Sequence, residues 1–212
     1  GTCGTKNRNE IAKVSLKSSP SDLPRTWRRT RTPYKLSAGL WLIAPDIHVP
    51  FHEPRPIESM IKYAQTEKIN GIFFPGDLQD CQAVSFWPSA KRDIDAEIEA
   101  MADFLNFMTA EFPKAQLVWL PGNHEYRLPR YYMHKAPELA GSIIGSVCMD
   151  VALNLEGRGV EFLDYNQMVL AGKLPILHGH EFKISRAVNP ARGLFLKAKT
   201  FAMCAHHHSS SE

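Results

Sequence analysis

The chain has 212 residues, 44% of them hydrophobic, and a formal net charge of +3. That length buries a full core, most simply as one domain, and no apolar run approaches the roughly 18 residues a membrane span needs. Cys3, Cys81, Cys148 and Cys204 form no Cys-x-x-Cys pair, which excludes a zinc ribbon and a disulfide framework and implies free thiols in a reducing compartment.

Residues 1–39 hold nine Lys/Arg against two Asp/Glu, and the remainder 16 against 20. Residues 1–36 show no clean period and are broken at Pro20, Pro24 and Pro33, so they read as a basic arm or linker, with the folded domain at 37–212. Three readings of the arm stay open. It is a solvated or disordered tail, a remnant of an upstream segment, or an electrostatic arm for DNA or RNA. In the last, Trp27 and Tyr34 sit among Arg25, Arg28, Arg29, Arg31 and Lys35. The opening GTCGTKNRNE lacks a signal-peptide apolar region, giving an expectation of a cytoplasmic protein.

Leu40–Ala44 is the first predicted core strand, and Pro56 opens a helix with Ile57, Met60, Ile61 and Ala64 on one face. Ile72-Phe73-Phe74 is the second strand. The loop at 81–92 carries an aromatic tip, Phe86-Trp87-Pro88, read as local packing or as a wall of a cleft. Ile94, Ile98, Met101, Leu105, Met108 and Phe112 mark a long helix, with Asp93, Asp95, Glu97 and Glu99 assigned to its other sides. The third strand, Ala115–Leu120, stops at Pro121-Gly122. This alternation predicts right-handed crossovers and a parallel sheet. Residues 137–155 look partly helical. Val160–Leu163, Gln167–Leu170, Leu174–Leu177 and Thr200–Ala205 read as strands of a second sheet, and Pro190–Lys199 as a helix.

Polar residues cluster where apolar strands end. They are Asp46-x-His48, Gly76-Asp77-x-x-Asp80, Gly122-Asn123-His124-Glu125, His178-Gly179-His180 and His206-His207-His208. The C-terminal ends of strands are where open α/β sheets place their chemistry. Any one of these groups alone is a turn or a helix cap; five in succession imply one shared site. Carboxylates and imidazoles suit divalent metals such as Mn, Fe and Zn. Two metals about 3.5–4 Å apart need a ligand that bridges them, and a carboxylate has the two oxygens to do so.

With its D-x-H, G-D-x-x-D, G-N-H-E, H and final H-x-H motifs, the stretch 40–208 resembles the calcineurin-like metallophosphoesterase superfamily. Asp46-Ile47-His48-Val49-Pro50-Phe51-His52 is nearest to bacteriophage-type members. Ala205 stands where the family pattern has Gly. The resemblance implies an α/β fold, a four-layer α/β/β/α sandwich of two mixed sheets with flanking helices. It implies two divalent transition metals, Mn first, with Fe or Zn as alternatives. Asp46, His48 and His208 would hold one, Asn123, His178 and His206 the other, and Asp77 would bridge. His124 would serve the leaving group, oriented by Asp80; an imidazole is useful when its other nitrogen is fixed. His178 is preferred over His180, which then lies behind the ligands or faces substrate. Glu125 reads as structural, His52 as a loop polar residue and Cys204 as a small buried hydrophobe.

The expected reaction is hydrolysis of phosphate esters by a metal-bridging hydroxide. The basic arm and the phage-like first motif tilt the substrate toward phosphodiesters or nucleic acids, and Arg127, Arg130 and Lys135 read either as a solvated face or as a substrate-binding rim that grips phosphate. A phosphomonoesterase or protein phosphatase is the rival enzyme. A nucleic-acid-binding or virion module with a relic metal site is the rival non-enzyme.

Overall fold

Residues 71–75 and 117–120 are buried on both faces, and that sets the architecture. The computed structural model describes residues 32–87, 92–140, 149–183 and 189–208. Its elements run β1 (Tyr34–Lys35), β2 (Trp41–Ile43), α1 (Pro54–Glu67), β3 (Gly71–Pro75), a 3-10 turn (Gln82–Val84), α2 (Ile94–Glu111), β4 (Gln116–Leu120), α3 (Arg127–Lys135), α4 (Pro137–Ala140), β5 (Val160–Phe162), β6 (Val169–Ala171), β7 (Leu174–Leu177), α5 (Pro190–Ala198) and β8 (Met203–Cys204).

The first sheet has the order β2-β3-β4-β5 and every pair is parallel. The second has the order β1-β6-β7-β8, with β6 and β7 antiparallel and the outer pairs parallel. Side chains alternate across β3 and β4. Ile72, Phe74, Leu117 and Trp119 join Ile61 and Ala64 of α1 and Met101, Leu105 and Met108 of α2. Phe73, Val118 and Leu120 face the other way, onto Leu36, Val169 and Ile176. Each such side chain contributes about 1.5–3 kcal/mol on burial. With α5 against β8, the layers read helix, sheet, sheet, helix, and the sandwich is as expected.

Three local expectations change. The N-terminal boundary moves, because Tyr34 and Lys35 pair with Val169 and Leu170 and Leu36 is buried in the inter-sheet core; residues 1–31 of the arm lie outside the described residues. Val160–Phe162 belongs to the first sheet, since its Val160 pairs with Leu117 and Phe162 packs on Trp119. That first sheet is wholly parallel among the described strands, as the strand–helix alternation predicts, and the second is the mixed one. Glu97 is buried, accepting hydrogen bonds from the Gln82 and Ala83 amides at 2.9 and 2.7 Å. Of the segment expected to be partly helical, 141–148 lies outside the described residues. Among those described, no helix is long and apolar enough to cross a membrane, and Cys81 and Cys204 are free thiols.

Candidate metal centre

Parallel pairing brings the ends of β2, β3 and β4 to one edge, and β7 and β8 deliver theirs together in the second sheet. Asp46 and His48 follow β2, Asp77 and Asp80 follow β3, and Asn123 and His124 follow β4. His178 follows β7, and His206 and His208 follow β8. The chain turns sharply to present them. Asp46, His48, Asp77, His206 and His208 all have φ between 48° and 70°, a region non-glycine residues seldom occupy and one that collects at functional sites. Two glycines are needed for closeness. A Cβ on Gly76 would lie 2.3 Å from His178 Nδ1, and one on Gly122 would lie 2.3 Å from Asp77 Oδ1.

The donors fall into groups. Asp77, His178 and His206 offer ligand atoms within 4.8 Å of one another, as do Asp46, His48 and His208. In the first group His178 Nδ1 donates to the Pro75 carbonyl at 2.8 Å. Its Nε2 then faces Asp77 Oδ2 and Asn123 Oδ1, both at 3.2 Å. Burial disfavours a charged imidazole there, but Asp77 outweighs it and His178 is pushed up to about 9. Burial likewise works against the Asp77 carboxylate; His178 and then His124 more than offset it, and Asp77 falls to about 2. Lone pairs converging on one point thus demand a positive charge between them, a proton or a cation. In the second group His48 Nε2 and His208 Nε2 approach to 3.2 Å, with Asp46 Oδ1 3.7 Å from His208. Asp46 also accepts from the His206 amide at 2.9 Å, which holds the loop after β8. Both groups fit a divalent cation with nitrogen and oxygen ligands.

A third group joins them. Asp80 Oδ2 accepts from His48 Nδ1 at 3.0 Å and from His124 Nδ1 at 3.2 Å. Despite its own burial, Asp80 is held well below the usual carboxylate range by His124 and His48, with Arg127 adding to the effect. Arg127 Nη1 donates to the Asp80 carbonyl and carboxylate at 2.9 and 3.0 Å, while Nη2 lies 2.9 Å from His124 Nε2. The two arginines expected to act alike therefore separate. Arg127 is tied into the centre, and only Arg130 is exposed.

His180 belongs to none of these groups. It stacks on Tyr165, which stacks on Tyr126, at centroid distances of 5.0 and 4.2 Å. His52 lies against Phe104, and Cys204 is half-buried. Glu125, expected to be structural, has a definite task. Its carboxylate is buried and accepts from the amides of Gly122, Gln79 and Asp77 at 2.7, 2.9 and 3.1 Å, joining the loops after β3 and β4. The signal was present in its place directly after the strand-end Gly-Asn-His.

The profile of the calcineurin-like phosphoesterase family matches residues 42–210. The chain belongs to that family. This calcineurin-like phosphoesterase is accordingly a metal-dependent hydrolase of phosphate esters, and its strand-end donors supply candidate ligand groups for the metals. No curated protein matches the sequence. The relic-module reading gives way to the enzyme.

Proposed function

We propose that this phosphoesterase hydrolyses phosphodiesters, with nucleic acid as the substrate class, using two divalent transition metals of which manganese is the first to test. The observation that carries the hydrolytic reading is the pair of donor groups side by side, with His124 beside Asp77 and fixed through Asp80. Asp46, His48 and His208 would hold one ion, Asn123, His178 and His206 the other, and Asp77 both. When bound, the ions lower the pKa of water toward about 7 and neutralise charge on the phosphate oxygens.

The chain's own residues do the rest. Pro75 and Asp80 fix the tautomers of His178 and His48, so each turns Nε2 to its group. His124, with Nδ1–H donated to Asp80, would exchange the Arg127 contact at Nε2 for a proton taken from water and give that proton to the leaving oxygen as the ester P–O bond breaks. The diester preference is supported by the exposed Arg130 six residues after the histidine and by the basic composition of residues 1–39. The first motif, Asp46-Ile47-His48-Val49-Pro50-Phe51-His52, supports a place near bacteriophage-type members.

Paired aryl phosphate monoester and diester substrates, assayed with manganese, test the reading. Faster diester turnover is expected. Faster monoester turnover would give the phosphomonoesterase instead.

A further inference from the structure

Beside the centre runs a second feature that shares Arg127 with it. A groove of about 850 Å³ lies between the 3-10 turn and α3, with Arg127 at its edge and Phe86, Trp87, Arg92, Arg130, Tyr131 and Lys135 among its lining residues. Four Lys/Arg and no Asp or Glu line it among the described residues. That is not the average surface, because beyond residue 39 the chain carries 16 basic residues against 20 acidic. Arg130 and Lys135 form no salt bridge among the described residues. Trp87 and Phe86 are 71% and 84% exposed, and Tyr131 is 41% exposed. Arg92 donates to the Trp87 main-chain carbonyl at 3.1 Å, which ties a cation to the backbone of the aromatic tip.

Exposed rings interleaved with unpaired cations are the two components of single-strand recognition. The rings offer stacking faces for unpaired bases, and the cations track the phosphates. A duplex hides its base faces; a protein partner would supply carboxylates, or apolar groups without a need for the regular cations. Continuity with the centre favours the strand: Arg127, at the groove's edge, is bonded to Asp80 and His124. We propose that this groove binds single-stranded nucleic acid and leads it to His124, with Trp87 and Phe86 as base-stacking platforms and Arg130 and Lys135 as phosphate contacts. The inference rests on the diester reading above and gives it a specific substrate form.

Binding measured without turnover tests it. The probe is 5′-fluorescein-labelled dT20, titrated with the full chain in EDTA across a salt series and read by anisotropy, with the matching duplex alongside. Trp87→Ala is expected to weaken binding about tenfold at fixed salt, leaving the salt slope unchanged. The double variant Arg130→Gln/Lys135→Gln is expected to reduce the slope of log K against log salt by about 1.4, since a single strand gives about 0.7 per phosphate contact. The proposal is overturned if all variants keep wild-type affinity and slope, which assigns binding to residues 1–31. It is equally overturned by an absence of binding or by a duplex that binds as tightly as dT20. The two readings fail separately: variant-insensitive dT20 binding with diesters still preferred overturns the groove alone. Variant-sensitive binding with monoesters preferred supports the groove and overturns the diesterase.

Discussion

Asp80 serves two histidines with one oxygen. Its Oδ2 accepts from both His48 and His124, while Arg127 holds Oδ1. A proposed ligand and the proposed acid thus hang on the same carboxylate, and substitutions should tell them apart. His124→Ala is expected to keep both metals by elemental analysis while losing about 10²–10⁴-fold in turnover, the usual contribution of a positioned acid. Asp80→Asn should lose turnover and also weaken metal binding by about ten- to a hundredfold, as loss of a ligand's supporting partner does. Full turnover in His124→Ala, or unaltered metal affinity in Asp80→Asn, would remove the respective role.

Loops and strands set how closely these residues approach. Glu125 satisfies three backbone amides from two loops, and each buried donor left without an acceptor costs about 1–3 kcal/mol. Glu125→Ala should therefore lose about 3 kcal/mol or more of stability, seen as a lower urea midpoint; a midpoint within experimental scatter of wild type would contradict the structural role. Most of the centre could be read from the sequence because its motifs are local. Asp46-x-His48, Gly76-Asp77 and Gly122-Asn123-His124 each combine an apolar strand with its own turn, and proximity followed from parallel pairing. What escaped depends on distant partners. Glu97 looked like a solvent-facing helix residue until the 3-10 turn brought two amides to it. Tyr34–Lys35 and Val160–Phe162 are too short to announce which sheet they join. Helix α3, to which the sequence pattern assigned no element, carries Pro129 in its first turn, where proline is tolerated.

At the scale of the molecule, the donors come from both sheets. Asp46, His48, Asp77 and Asn123 belong to the first, and His178, His206 and His208 to the second. Cations that bind only when both are in place stabilise the native state by mass action, about 2.7 kcal/mol at a hundred times the dissociation constant. Saturating manganese should raise Tm by about 5–10 °C over the EDTA-treated protein, with two metals per chain by elemental analysis. A Tm indifferent to metal, or no metal retained, would remove the dinuclear assignment. The inter-sheet core of Phe73, Val118, Leu120, Val169 and Ile176 supports the same registration of donors, so trimming it should loosen the centre from a distance.

The left-handed backbone at Asp46, His48, Asp77, His206 and His208 constrains which replacements are informative. A branched side chain such as valine at any of them clashes with its own main chain before coordination is even in question. Asparagine and glycine relax that clash, so a scan built on those two, with alanine between them, separates lost chemistry from a loop that refuses its turn.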